Sequence, residues 1–197
     1  MSRIFSRTGM LVVLVLWVAG LSGCFVGFYE PPAKTVDLGA DAIKDWETAF
    51  SAILTAHVND KGEVDYAAVD KKKINGIAAA LSKVVIDKSW SQEKQLAFWI
   101  NAYNAFTVKL IVKNYPVKSI KELGGSIYKV NTPWDIKFIK IGEETYNLNN
   151  IEHDIIRKDF EEPRIHFAVN CASVSWPKLR NEAYVGSKLD KQLDDQA

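Results

Sequence analysis

The chain has 197 residues, 48% of them hydrophobic, and its 25 lysines and arginines against 24 aspartates and glutamates give a formal net charge of +1. That length suits one domain with a real core, and a near-neutral balance without a basic patch gives no footing for a nucleic-acid partner. Only two cysteines are present, Cys24 and Cys171, and no internal repeat is found.

Residues 1–23 read as an export signal. Arg3 and Arg7 give a positive start, Gly9 to Gly20 an apolar stretch too short and too early for an ordinary membrane span, and Leu21-Ser22-Gly23-Cys24 a small-residue cleavage site. The segment resembles a bacterial lipoprotein signal with its lipobox. The resemblance implies cleavage before Cys24, diacylation of its sulfur and stable membrane anchoring by two acyl chains. Phe25 stands where such lipoproteins retained in the inner membrane carry Asp, which favours the periplasmic face of the outer membrane. Residues 24–40, with Pro31-Pro32 and little apolar periodicity, read as a tether, and residues 41–197 as one globular domain. With Cys24 lipidated, Cys171 has no partner within the chain. A lone thiol in an oxidising periplasm is either buried and inert or kept for chemistry.

From Asp41 onward, Ile43, Trp46, Phe50, Ile53 and Leu54 fall at helical spacing and predict an amphipathic helix with His57 near its end. Asn59-Asp60-Lys61-Gly62 is a turn and Val64-Asp65-Tyr66 a short extended piece. Ile74 to Val85 is a second amphipathic helix, preceded by the solvated run Lys71-Lys72-Lys73. Ser89-Trp90-Ser91-Gln92 has the form of a capping box and opens a helix from about Trp90 to Asn114, ended by Tyr115-Pro116. This helix is apolar almost all round, so it is expected to be the buried centre of the domain. Asn101 and Asn104 lie on one side of it, either tying down neighbouring backbone or lining a polar pocket beside Cys171.

A short helical piece is expected around 119–123 and a hairpin over 134–148, with Gly142-Glu143-Glu144 as its turn. Asn149 with Glu152 offers a cap for a helix holding Ile151, Ile155, Ile156 and Phe160. His153 and Arg157, four apart, would share a face of it. The β-branched and aromatic run from Ile165 to Val169 reads as a short buried strand, with His166, Ala168 and Asn170 on one face and Cys171 leaving its end. Ser187 can cap a last helix carrying Leu189 and Leu193. Together these elements predict a helix-rich α+β domain around the buried helix 90–114, with a small, mainly antiparallel sheet made from the 134–148 hairpin and a 164–170 strand.

The stretches Phe98-Trp99-Ile100-Asn101-Ala102-Tyr103-Asn104-Ala105, Ile151-Glu152-His153-Asp154-Ile155-Ile156-Arg157 and Arg164-Ile165-His166-Phe167-Ala168-Val169-Asn170-Cys171-Ala172-Ser173, in this order, resemble the domain-of-unknown-function family 547. The likeness runs from about Trp46 to the end and implies a bacterial secreted protein or lipoprotein, with no established activity, substrate or cofactor. Members continue with another helical segment, so the chain is expected to lack the family's C-terminal part. Many members also carry a second cysteine where this chain has Trp176, which implies that a Cys-x4-Cys loop has lost one member here.

Three functions of different classes follow. In the first, the domain binds a peptide, glycan or envelope protein near the membrane, with Cys171 as core packing and Asn101, Asn104, Asp135, Glu152, His153, Arg157 and Asn170 as a hydrogen-bonding framework. In the second, the Cys171 thiolate is a nucleophile, with His166 or His153 as base and Asp135, Glu152 or Asn101 orienting the imidazole, for acyl transfer or amide hydrolysis on envelope peptides. Histidine preceding cysteine in the chain faintly resembles permuted papain-like hydrolases. In the third, His153, His166 and Cys171 supply three ligands to zinc, without the tight spacing of established zinc motifs.

Overall fold

The computed structural model describes residues 45–124, 132–172 and 177–197, all within the unit Asp37–Ala197. The expected signal, the lipid-bearing Cys24, the tether and Trp176 lie outside the described residues.

The first two helices, α1 (Trp46–His57) and α2 (Lys71–Leu81), begin where an aspartate side chain caps a free backbone N–H: Asp45 accepts from Thr48 at 2.9 Å and Asp70 from Lys72 at 2.7 Å. Their apolar faces, through Phe50, Ile53 and Leu54 in one and Ile74, Ile77 and Leu81 in the other, are buried against each other and against α3 (Gln92–Asn114). Ser91 caps α3, and from Leu96 to Val112 only Lys109 escapes burial, as the all-round apolar pattern predicts. The extended backbone of Tyr115, imposed by Pro116, ends it. No helix among the described residues is long and apolar enough to cross a membrane.

Between α1 and α2, Val58 pairs with Val64 across a turn whose Gly62 has φ +76°. An added Cβ there would lie 2.1 Å from Lys178 Cβ, so only glycine lets the C-terminal chain pass so closely.

The expected 134–148 hairpin is present in a shorter form. Strands β1 (Ile139–Ile141) and β2 (Glu144–Tyr146) pair antiparallel across Gly142-Glu143, with Ile139 and Ile141 buried and Lys140 exposed. Ahead of them, Pro133–Asp135 form a 3-10 turn instead of extending the strand, because the Asp135 carboxylate accepts from the backbone and hydroxyl of Thr132 at 2.9 and 2.7 Å. Another short 3-10 turn, Ile120–Leu123, follows α3.

The helix expected after Asn149 is built differently. Its first turns, Asn150–Ile156, are π-helical and run into α4 (Arg157–Asp159), and the capping oxygen belongs to Asn147, which accepts from Asn150 N–H at 2.6 Å. The wider π register joins residues five apart, so Arg157 pairs with Glu152 at 2.7 Å, where regular α spacing would have set it with His153.

The largest departure is at 164–170, where a strand is predicted and a single helical turn, α5 (Ile165–Ala168), is found. Among the described residues no strand pairs with this β-branched run, and local bonds close the turn: Phe167 N–H donates to the Arg164 carbonyl at 2.9 Å and Val169 N–H to that of Ile165 at 3.1 Å. Ile165 and Ala168 are buried while His166 and Phe167 are exposed, so the alternation of faces expected of a strand is lost.

A 3-10 turn at Gly186–Lys188 leads into α6 (Leu189–Asp194), which buries Leu189 and Leu193 as expected but starts without a Ser187 side-chain cap. The result is a helix-rich α+β domain wrapped on α3, with one two-stranded sheet among the described residues.

Candidate functional site

The two asparagines of α3 each hold a passing segment of backbone by both amide atoms. Asn101 donates to the Tyr184 carbonyl at 2.7 Å and accepts from Tyr184 N–H at 2.9 Å. Asn104 donates to the Ala168 carbonyl at 2.9 Å and accepts from Asn170 N–H, also at 2.9 Å. Buried amides left unpaired are costly, and these four bonds satisfy both side chains while supplying strand-like partners to chain segments that have no strand beside them. Of the two roles open to these residues, the backbone-tying one is realised. Gln192 repeats the device from the other side, accepting from Val185 N–H at 2.8 Å and donating to the Ala183 carbonyl at 3.0 Å.

The Asn104 clamp positions Cys171. Its neighbour Asn170 accepts from Ala172 N–H at 2.8 Å, closing a tight turn over residues 170–172, and donates to the Pro177 carbonyl at 2.8 Å. Ala172 has φ 55°, the only left-handed non-glycine among the described residues. An alanine held there is strained by roughly 1 kcal/mol or more, a cost that surrounding contacts must offset. Cys171 itself is 8% exposed.

Polar groups surround it. Tyr103, one residue before Asn104 on α3, is completely buried, and its hydroxyl has no hydrogen-bond partner. Glu152 and Trp134 stand beside that hydroxyl. Burial, with Glu152 and Cys171 adding to it, raises the Tyr103 phenol far above its ordinary range. Tyr66, half-buried, is pushed up to about 12 by burial first and Cys171 second. Both phenols are therefore in their neutral, hydrogen-donating form.

From Glu152 the network runs outward. Its carboxylate binds Arg157 at 2.7 Å, and the same guanidinium nitrogen lies 3.4 Å from Nδ1 of the exposed His166. Arg157 and His166 line an open cleft of about 400 Å3 together with Phe160, Glu161, Glu162, Pro163 and Ile165. Beside it, Arg164 binds Glu162, Asp190 and Asp194, tying the chain before α5 to α6.

Several residues marked in the sequence take other places. His153 is exposed and takes no hydrogen bond in this network. Asp135 binds Thr132 and Asn149 and so orients no imidazole. Among the described residues no group of three or more histidine, cysteine, aspartate or glutamate side chains is placed to hold a metal ion, so His153, His166 and Cys171 do not form a zinc site. Tyr66, Tyr103 and Trp134 carry no pattern in the sequence that points to this place. Tyr103 reads as one more apolar core residue of α3, and only its position between Asn101 and Asn104 sets it apart.

Fold and site thus define a helix-rich α+β domain whose buried central helix holds a cysteine-bearing turn through an asparagine side chain. The chain belongs to the family described as protein of unknown function, DUF547, whose model matches residues 88–197. The match takes in α3 and everything after it, leaving α1 and α2 outside. Neither the curated proteins nor the solved structures gave a match.

Proposed function

We propose that the protein is a lipid-anchored lipoprotein of the bacterial cell envelope whose DUF547 domain binds envelope peptide or glycan near the membrane. The address rests on the Leu21-Ser22-Gly23-Cys24 signal. The observation that carries the binding role is the line of contacts from Glu152 through Arg157 to His166 at the open cleft. A guanidinium, an imidazole, the Glu161 and Glu162 side chains and an apolar wall in one concavity suit a ligand with amide or hydroxyl groups. Co-sedimentation of the detergent-solubilised full chain with purified peptidoglycan sacculi tests it. Wild type is expected in the pellet, with Arg157→Ala largely released. Wild type that stays in the supernatant, or Arg157→Ala that pellets equally, contradicts it.

A second reading, thiol chemistry on acyl groups of the same envelope peptides, is favoured by a separate observation. Cys171 sits in a turn strained at Ala172, a place where stored backbone strain accompanies function.

A further inference from the structure

We propose that Arg157 fixes the imidazole of His166 so that its Nε2–H is the cleft's hydrogen-bond donor to an acceptor oxygen of the ligand, an inference that rests on the binding reading above. One guanidinium nitrogen of Arg157 donates to Glu152 at 2.7 Å and lies 3.4 Å from Nδ1 of His166. A guanidinium has hydrogens to give and no lone pair to offer, so the contact is attractive only while Nδ1 keeps its own lone pair. The neutral ring then carries its single proton on Nε2. Among the described residues Nε2 has no protein partner, and the exposed ring lines the cleft beside Phe160, Pro163 and Ile165.

Glu152 makes the arrangement firm. Its side chain is 16% exposed against 38% for Arg157, so the guanidinium is anchored from the inner side and its charge is already paired where the imidazole meets it. The other charged groups around the ring are Glu161 and Glu162, which line the same cleft, and Arg164, which binds Glu162 together with Asp190 and Asp194 of α6, the helix packed against α5. A second proton on the ring turns Nδ1 into a donor facing a donor and sets two positive charges side by side. The contact then breaks and the ring loses its orientation, so binding at the cleft weakens as His166 takes up that proton.

The test is co-sedimentation of the detergent-solubilised full chain with purified peptidoglycan sacculi at about pH 8 and about pH 5, which bracket the range in which imidazoles change charge. Wild type is expected to need about fivefold more sacculi for half-maximal pelleting at the lower pH, the effect of losing one hydrogen bond. His166→Ala is expected to bind about fivefold more weakly than wild type at the higher pH and to lose the pH dependence. His166→Gln, whose side-chain carbonyl can accept from Arg157 while its amide donates outward, is expected to recover most of that loss and to bind alike at both pH values. Wild-type binding that is equal at the two pH values, or a glutamine variant no better than alanine, overturns the inference while the binding reading stands. So does a glutamine variant that weakens in acid as much as wild type, which would place the pH dependence on Glu161, Glu162 or the sacculi. Wild type that stays in the supernatant at both pH values overturns both. The imidazole is exposed, so both variants are expected to keep the wild-type thermal midpoint.

Discussion

The side-chain oxygen of Asn104 accepts from the backbone N–H of Asn170 at 2.9 Å, joining the most buried helix of the domain to the turn that presents Cys171. The bond makes the geometry of the thiol a property of the core.

Replacing Asn104 with alanine removes this bond and the one to the Ala168 carbonyl, leaving two backbone groups in the interior without partners. Each such group costs about 1–3 kcal/mol, so urea denaturation should show a loss of about 3 kcal/mol. A loss below about 0.5 kcal/mol would mean that the clamp is incidental.

Ala172 offers the opposite sign. With φ at 55°, glycine removes steric strain but adds freedom to the unfolded chain, so Ala172→Gly should leave stability unchanged or raise it by up to about 1 kcal/mol. Ala172→Val should lower it by roughly 2 kcal/mol. Thermal midpoints of the pair decide the matter, and a valine variant as stable as wild type speaks against a left-handed residue at this position.

Acid stability should register Asp135. Hydrogen bonds from Thr132 hold its carboxyl below the ordinary value of 3.8. A carboxylate with a depressed folded-state pKa contributes stability above its unfolded value and loses that contribution as pH falls through the folded one. Asp135→Asn should therefore be less stable than wild type near neutrality, with the gap closing as pH falls below 3.8. A gap that stays constant in thermal scans across this range contradicts the assignment.

Much of the frame is written plainly in the residues, and the exceptions share a cause. The buried helix, its serine cap and its proline stop follow from local pattern, as do the hairpin around Gly142 and the burial of Leu189 and Leu193. The run Ile165–Val169 carries strand-forming side chains, yet strand pairing depends on an edge elsewhere in the fold, and the edge is replaced by one amide of Asn104. The π-helical register at Asn150–Ile156 is likewise invisible to a 3.6-residue count, and it decides that Arg157 meets Glu152 instead of sharing a face with His153. The site shows the same division. Cys171 and His166 stand out as residue types, whereas Tyr103 acquires meaning only once its hydroxyl is seen to be buried without a partner.

The account turns on Cys171 being part of a working pocket, and the rate of iodoacetamide alkylation at Cys171 in the folded full chain, followed across pH, tests that most directly. Reaction faster than global unfolding is the predicted result. A thiol that stays protected until denaturant is added would contradict the account and return Cys171 to the core.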